Sequence, residues 1–464
     1  MNTNFKSISQ TYAGRIPQPE YNERRNKFAR QLAPESLAII VSNPERIRSN
    51  DTDYNYRQSS NLLYLTGFPE PESALVVTNF GGQYQSILFV LPKNKERETW
   101  TGIREGVFGA KANYAVDRAY PVDQFAVVTA KLLQKARQVY YKFDRNQFFD
   151  IQFTKLWQKV QKPLFNPETI VHEMRLIKSE SELTVLRQAA FISAQAHCAA
   201  ALRLGEPELM EFQLQATIEN VFTEYGAQAP AYNSIVAAGN NACVLHYTTN
   251  RDRIKPKDLV LIDAACELDG YATDITRTFP ASGKFSRAQS EIYQLVLNAQ
   301  LAAIRIIKPG KTLHQIHSAA SKVLRLGLVE LGILPVEMNS RRNSLRLYRA
   351  AKKAGTGDQL LRLESLFMHG TSHYMGLDVH DVGMTAEKGG GKDRTLEPGM
   401  VFTIEPGLYI NAVDTRVLAK YRGIGVRIED DVLVTADGCE VLTSGVPKSI
   451  AEIETLISSA PLVN

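Results

Sequence analysis

Leu259 to Phe279 reads LVLIDAACELDGYATDITRTF. Two strand-like runs flank Asp269-Gly270, a dipeptide suited to positive φ at both central positions, so the segment is expected to be a hairpin closed by a type I′ turn. That turn sets Asp274 opposite Ala265 and puts Asp263 diagonally from Asp274 on the same face. Diagonal neighbours lie about 7–8 Å apart at the backbone and closer at their carboxylates, near enough to bracket a cation. Aspartate is disfavoured in strands. Two on one face of an apolar hairpin therefore either both point to solvent or serve a ligand.

Downstream, FMHGTSHYMGLDVHDVG (Phe367 to Gly383) carries His369, His373 and His380, three of only eight histidines within twelve positions. His369 and His373 have the spacing of H-E-x-x-H, but Gly370, Thr371 and Ser372 intervene. The catalytic glutamate of that motif is missing and the glycines oppose a helix, which excludes a thermolysin-like zinc protease. Next, MVFTIEPGLYI places Glu405 in an apolar run before a Pro-Gly turn. In GIGVRIEDDVLVT, Arg427 and Glu429 stand two apart, as on one strand face, where a structural ion pair is the competing reading. Carboxylates in such apolar runs are costly to bury unless paired or metal-bound. Two aspartates, a histidine and two glutamates form an oxygen-rich set suited to two divalent ions, Mn²⁺, Co²⁺, Fe²⁺ or Zn²⁺, and hence to hydrolysis.

The rest of the chain is ordinary globular material. Its 464 residues suggest two or three domains, and 44% hydrophobic content supplies a large core. A net charge of +5 is too small for a nucleic-acid-wide footprint. No apolar run approaches the roughly 20 residues that span a bilayer, and the N-terminus lacks a signal-peptide pattern, so the expected compartment is the cytoplasm. Cys198, Cys243, Cys266 and Cys439 are far apart and expected to be reduced. The first part alternates strand-length runs (Leu37 to Val41, Ser73 to Thr78, Tyr84 to Leu91, Val139 to Lys142) with short helical patterns, as an α/β domain does. A capping box at Ser179 and Glu182 opens a longer helical pattern. A boundary near 172 gives domains 1–172 and 173–464. The second is an α+β unit with helices near 179–202, 208–225, 285–306 and 313–331. One acidic pair lies early in it and one late, as a duplicated half-domain would give.

These motifs, together with DTDYNYRQSSNLLYLTGFPEPES (Asp51 to Ser73) and EMRLIKSESEL (Glu173 to Leu183), resemble the pita-bread metallopeptidases, and among them the Xaa-Pro aminopeptidases (aminopeptidase P). The resemblance covers nearly the whole chain. It implies an aminopeptidase P-like N-terminal α/β domain ahead of a creatinase/methionine aminopeptidase-like catalytic domain. It also implies two divalent ions, Mn²⁺ first among them, and peptides with an N-terminal Xaa-Pro as substrates. A homo-oligomer, dimer or tetramer, is expected, with no nucleic-acid or membrane partner. By position, Asp263 and Asp274 ligate one ion and Asp274, His373, Glu405 and Glu429 the other, with Glu405 also the general base. His246, in NACVLHYTTN, and His380 contact the scissile carbonyl or its oxyanion. His369 lines the proline pocket, Arg427 and Tyr409 orient Asp263 and its neighbours, and Arg104, in WTGIREG, is expected to reach substrate.

The glycine triplet Gly389 to Gly391 departs from the family pattern and leaves Arg394 as the candidate pocket arginine; it is read as a flexible loop. SRRNSLRLYRAAKKAG (Ser340 to Gly355) holds six cations and no acid, and is read as a solvated helix face because aromatic interleaving is nearly absent. The alternatives are a prolidase, disfavoured by Thr371-Ser372-His373-Tyr374, and a non-catalytic binding protein of the same fold, disfavoured by the complete ligand set.

Overall fold

The computed structural model describes residues 16–386 and 393–459. It divides into two compact units, one ending at Arg175 and the other beginning at Leu176. The Gly389 to Gly391 triplet lies outside the described residues.

In the first unit the strands Ser36–Val41, Ala74–Phe80 and Gln83–Val90 form an antiparallel centre. Arg118–Pro121 joins one side in parallel, and Gln138–Tyr140 and Leu164–Phe165 join the other. Central strands covered on both faces read as unbroken apolar runs, which is why SLAIIV shows no alternation and is buried throughout. Leu37, Ile39, Val76 and Phe89 pack against Phe125, Phe149 and Phe153 from the helices Phe125–Lys135 and Gln147–Val160. Gly67 ends the helix Ser60–Thr66 with φ 68°. A Cβ at Gly67 would come within 2.6 Å of the Tyr21 ring, so both backbone and space demand glycine there.

The second unit twice places a pair of helices ahead of a three-stranded antiparallel sheet. Helices Glu180–Ala201 and Glu211–Glu224 precede the antiparallel strands Ile235–Ala238, Leu259–Asp263 and Thr276–Pro280. Helices Arg287–Arg305 and Leu313–Glu330 precede Val401–Ile404, Asp430–Val434 and Cys439–Val441. Reciprocal capping boxes start three of these helices, at Ser179/Glu182, Ser286/Gln289 and Thr312/Gln315. Each cap is worth about 1 kcal/mol and fixes where its helix begins. The basic segment is the helix Arg341–Lys353, with all six of its cations exposed.

The hairpin has the expected register. Asp269 and Gly270 take φ 48° and 82°, Leu268 pairs with Tyr271, and Asp263 pairs with Thr276. The regular ladder breaks between these two stretches, although Ala264 N–H still donates to Ile275 O at 3.2 Å and Thr273 N–H to Cys266 O at 3.3 Å. Asp274 lies in this break and Asp263 at its edge, which frees their carboxylates to turn away from a flat sheet. The four cysteines are free thiols, Cys266 buried and the others half-buried. No helix among the described residues is long and apolar enough to cross a membrane.

Candidate metal centre and active site

Both hairpin aspartates are buried, and one phenol joins them: Tyr232 OH lies 2.6 Å from Asp263 Oδ1 and 2.5 Å from Asp274 Oδ1. A single phenolic proton cannot serve both oxygens, so the pair calls for another proton or a cation. Arg427 then ties the aspartate arm to the later strands. Its Nη2 donates to Asp263 Oδ2 at 2.5 Å, its Nε to Thr276 Oγ1 at 3.0 Å and its Nη1 to Tyr409 OH at 3.0 Å. Thr276 Oγ1 in turn donates to Glu429 Oε2 at 2.7 Å. The expectation that Arg427 and Glu429 share a strand is corrected here. The strand Ile424–Arg427 ends at Arg427, Glu429 follows it in the link to Asp430–Val434, and Thr276 joins the two side chains. Arg427 forms its ion pair with Asp263.

The histidine segment is irregular, as its glycines require. His373 Nδ1–H donates to Tyr374 O at 3.1 Å, which turns Nε2 toward Asp274 Oδ2 at 3.4 Å and Glu405 Oε1 at 3.8 Å. Ligand atoms of Asp274, His373 and Glu429 all lie within 4.8 Å of one another. His369 Nδ1–H donates to Gly370 O at 2.7 Å, so Nε2 accepts from Tyr409 OH at 2.7 Å. Burial, then the charge of Arg427, lowers the His369 pKa to about 4 and keeps the ring neutral. His380 sits on the exposed rim with its ring against His373, centroids 4.3 Å apart at 75°. His246 is also exposed; burial, then His373, disfavours protonation of His380, and His246 contributes least both there and at His369.

Four carboxylates share this pocket with one guanidinium. Burial, reinforced by the charges of Asp274 and Asp263, pushes Glu405 up to about 7 against the relief of His373 and Arg427. Burial, then Asp274, Glu405 and Asp263, pushes Glu429 well above the ordinary carboxylate range. Burial opposes a charge on His373, yet the hydrogen bond and charge of Asp274, with Glu405, raise it to about 9. Without cations the acids would have to hold protons. Divalent ions relieve the same repulsion, and the O- and N-donor set fits them.

Several contributors escaped motif reading. Tyr232 stands in an unremarkable turn segment 31 residues before Asp263. Asp431 Oδ2 accepts the Asp274 N–H at 3.0 Å. Lys178 and Asp381 form a buried ion pair at 3.1 Å directly after His380 in the chain. Arg104 lies in the first unit, its Nη1 donating to Pro92 O at 3.3 Å. Arg394 borders the undescribed residues, with its N–H on Thr385 O at 2.8 Å.

The model of metallopeptidase family M24 matches residues 184–436, and that of the aminopeptidase P N-terminal domain matches residues 21–140. The Xaa-Pro aminopeptidases of Haemophilus influenzae and Escherichia coli are each 40% identical to this chain, covering 96% of it and 99% of their own length. Among solved structures, aminopeptidase PepP of Pseudomonas aeruginosa superposes with a TM-score of 0.89 at 42% identity, over 96% of this chain and 99% of that one. Zinc-substituted E. coli aminopeptidase P in complex with product gives 0.88 at 39% identity, over 96% and 99%. The acids and histidine meet in one buried pocket, and relatives match along their whole length: the chain belongs to metallopeptidase family M24, in its pita-bread Xaa-Pro aminopeptidase (aminopeptidase P) branch.

Proposed function

We propose that the protein is a dinuclear metal-dependent exopeptidase that releases the first residue from peptides with proline second. The observation that carries this reading is the meeting of Asp274, His373 and Glu429 within 4.8 Å, flanked by Asp263 and Glu405. Asp263, Asp274 and Glu429 would hold one ion, and Asp274, His373, Glu405 and Glu429 would hold the other. When bound, the ions supply Lewis acidity that lowers the pKa of a water and polarises the scissile carbonyl. Mn²⁺ is the metal we assign, with Co²⁺, Fe²⁺ and Zn²⁺ suited by the same donors. The cytoplasm and a homo-oligomeric state belong to the same proposal.

The remaining steps fall to side chains. Glu405 takes the proton of the attacking water and returns it to the proline nitrogen as the amide bond breaks. Neutral His369, fixed by Tyr409, presents a ring face beside Phe367 to the proline ring; the His369 and Phe367 centroids lie 4.8 Å apart. His380 and His246 donate hydrogen bonds to the carbonyl oxygen as charge develops on it. Burial raises the Asp263 pKa; Arg427 opposes this and orients the carboxylate through the shared contacts with Thr276 and Tyr409.

A prolidase would use the same ligands, but full-length likeness to Xaa-Pro aminopeptidases argues against it. Product analysis with Ala-Pro-Ala and with the dipeptide Ala-Pro tests the choice. Release of alanine from the tripeptide is expected, and cleavage of the dipeptide alone would refute the proposal.

A further inference from the structure

The helix Arg341–Lys353 carries a concentrated positive charge. Arg342, Arg346, Arg349 and Lys353 recur at helical spacing along one exposed face, with Arg341 and Lys352 beside them. No carboxylate whose side chain the structure describes, a set that leaves out Asp358, pairs with any of the six. Like charges three and four apart repel one another. Arg341 and Arg342 also occupy a first turn without any acid, where the helix dipole disfavours cations. A stripe arranged against its own helix is a stripe that an anion would relieve.

Its position says which anion. Tyr348, on the inner side of this helix, lies under the Arg362 guanidinium, 3.8 Å from the ring centroid. Arg362 is 3.8 Å from Glu364, which also pairs with Arg325 at 3.3 Å. From there the chain runs directly into Leu366, whose carbonyl accepts the Tyr409 N–H at 2.9 Å, then into Phe367 and His369. On the other side of Phe367, His317 stacks on its ring at 5.6 Å and contacts Thr371 Oγ1 at 2.8 Å. The charge of Arg341 acts on His317, adding to the lowering that burial imposes. The cationic helix is therefore anchored to the wall that holds His369, the ring assigned above to proline. Proline is on the leaving-group side of the scissile bond, so the peptide continues past this wall.

We infer that the Arg341–Lys353 helix is an extended subsite that selects peptides bearing acidic residues downstream of the Xaa-Pro bond. This rests on the proposed function, which supplies the direction of the chain. The charges lie on an exposed rim, where they act on encounter and on salt dependence more than on the chemical step.

The test uses the full-length, metal-loaded protein and three peptides, Ala-Pro-Ala-Ala-Z-Z with Z glutamate, glutamine or lysine, beside Ala-Pro-Ala. At low salt kcat/KM should be about fivefold higher for the glutamate peptide than for the glutamine one, and lowest for lysine, with the spread collapsing at about 0.5 M salt. The triple variant Arg342→Gln, Arg346→Gln, Arg349→Gln should bring the three peptides within about twofold of one another and leave the tripeptide rate unchanged, because it touches only solvated side chains. Equal rates for the three peptides on the unmodified protein would overturn the inference while leaving the proposed function standing. An acid preference that survives in the triple variant would overturn it too. Flat peptide ratios with tight binding of a DNA duplex would assign the stripe to nucleic acid instead. No release of alanine from the tripeptide would overturn the proposed function and this inference together.

Discussion

Asp430→Asn should separate the support of the site from the site itself. Asp430 follows Glu429 and is fully buried, with Arg277 Nη2 on its Oδ1 at 2.7 Å. Thr443 Oγ1 donates to Oδ1 at 2.8 Å, and Lys448 Nζ and Gln300 Nε2 donate to Oδ2 at 2.6 and 2.9 Å. Arg277 is also fully buried and gives its Nη1 to the carbonyls of Thr276 and Glu429, at 3.0 and 2.5 Å. The substitution keeps shape and removes the charge that compensates this guanidinium. Breaking one side of a buried pair costs about 3–5 kcal/mol. With an unfolding entropy of about 2.1 cal/mol/K per residue over the roughly 290 residues of the second unit, that is a fall in Tm of about 5–8 °C. Scanning calorimetry on chelated protein reads it without the added stability of bound ions. Metal affinity should fall as well, by about tenfold or more, since Arg277 holds the backbone of both Thr276 and Glu429. Burial opposes the ionised form of Asp430, but Arg277 and Lys448 hold its carboxyl below the usual range. Its stabilisation is therefore full above the unfolded-state pKa and lost as pH falls through the lowered folded value, so the variant's acid limb should be flatter. A Tm within about 2 °C of the parent, no further than the exposed Asp437→Asn control is expected to move, would refute this account of the buried network.

Tyr409→Phe removes the donor to His369 Nε2 and the acceptor of Arg427 Nη1; leaving such buried groups unpaired costs about 1–3 kcal/mol, so kcat/KM for Ala-Pro-Ala should drop about tenfold with bound metal unchanged by elemental analysis. His380→Ala should lower kcat about 10²- to 10³-fold with metal retained, as loss of an oxyanion donor does, whereas His373→Ala should lose metal as well as rate. Single-turnover rates on metal-loaded protein distinguish the two, and a near-normal rate in His380→Ala would remove its assigned role. Gly376→Ala would put a Cβ 2.3 Å from Asp381 Oδ2 and 2.9 Å from Lys178 Nζ; it should separate that buried pair and reproduce part of the His380→Ala defect together with a lower Tm. Wild-type kcat in a folded Gly376→Ala protein would show that the pair does not position His380.

The hairpin could be read from sequence because its information is local: Asp269-Gly270 sets the turn, and the turn sets where Asp263 and Asp274 fall. Helix starts were legible for the same reason, since the capping pair at Ser179 and Glu182 lies within one turn of chain. The convergence of Asp274, His373, Glu405 and Glu429 was legible only as a combined pattern whose order matched a known family. What escaped was non-local. Tyr232 reaches two aspartates 31 and 42 positions away, and Arg277 reaches Asp430 across 153. No spacing rule encodes such contacts. Arg427 misled for a related reason: two residues of separation predict a shared strand face, but the strand ends at Arg427, and Asp263, 164 positions away, is its partner.

On this reading Asp263, Asp274, His373, Glu405 and Glu429 form a centre for two ions, and turnover depends on it. The most direct test is the rate of alanine release from Ala-Pro-Ala as metal-free protein is reconstituted stepwise with Mn²⁺, plotted against ions bound per chain. No turnover is expected without metal, full turnover at two ions per chain, and loss of both stoichiometry and rate in Asp274→Ala. Full turnover in rigorously metal-free protein, or two ions and normal rate in Asp274→Ala, would contradict this reading.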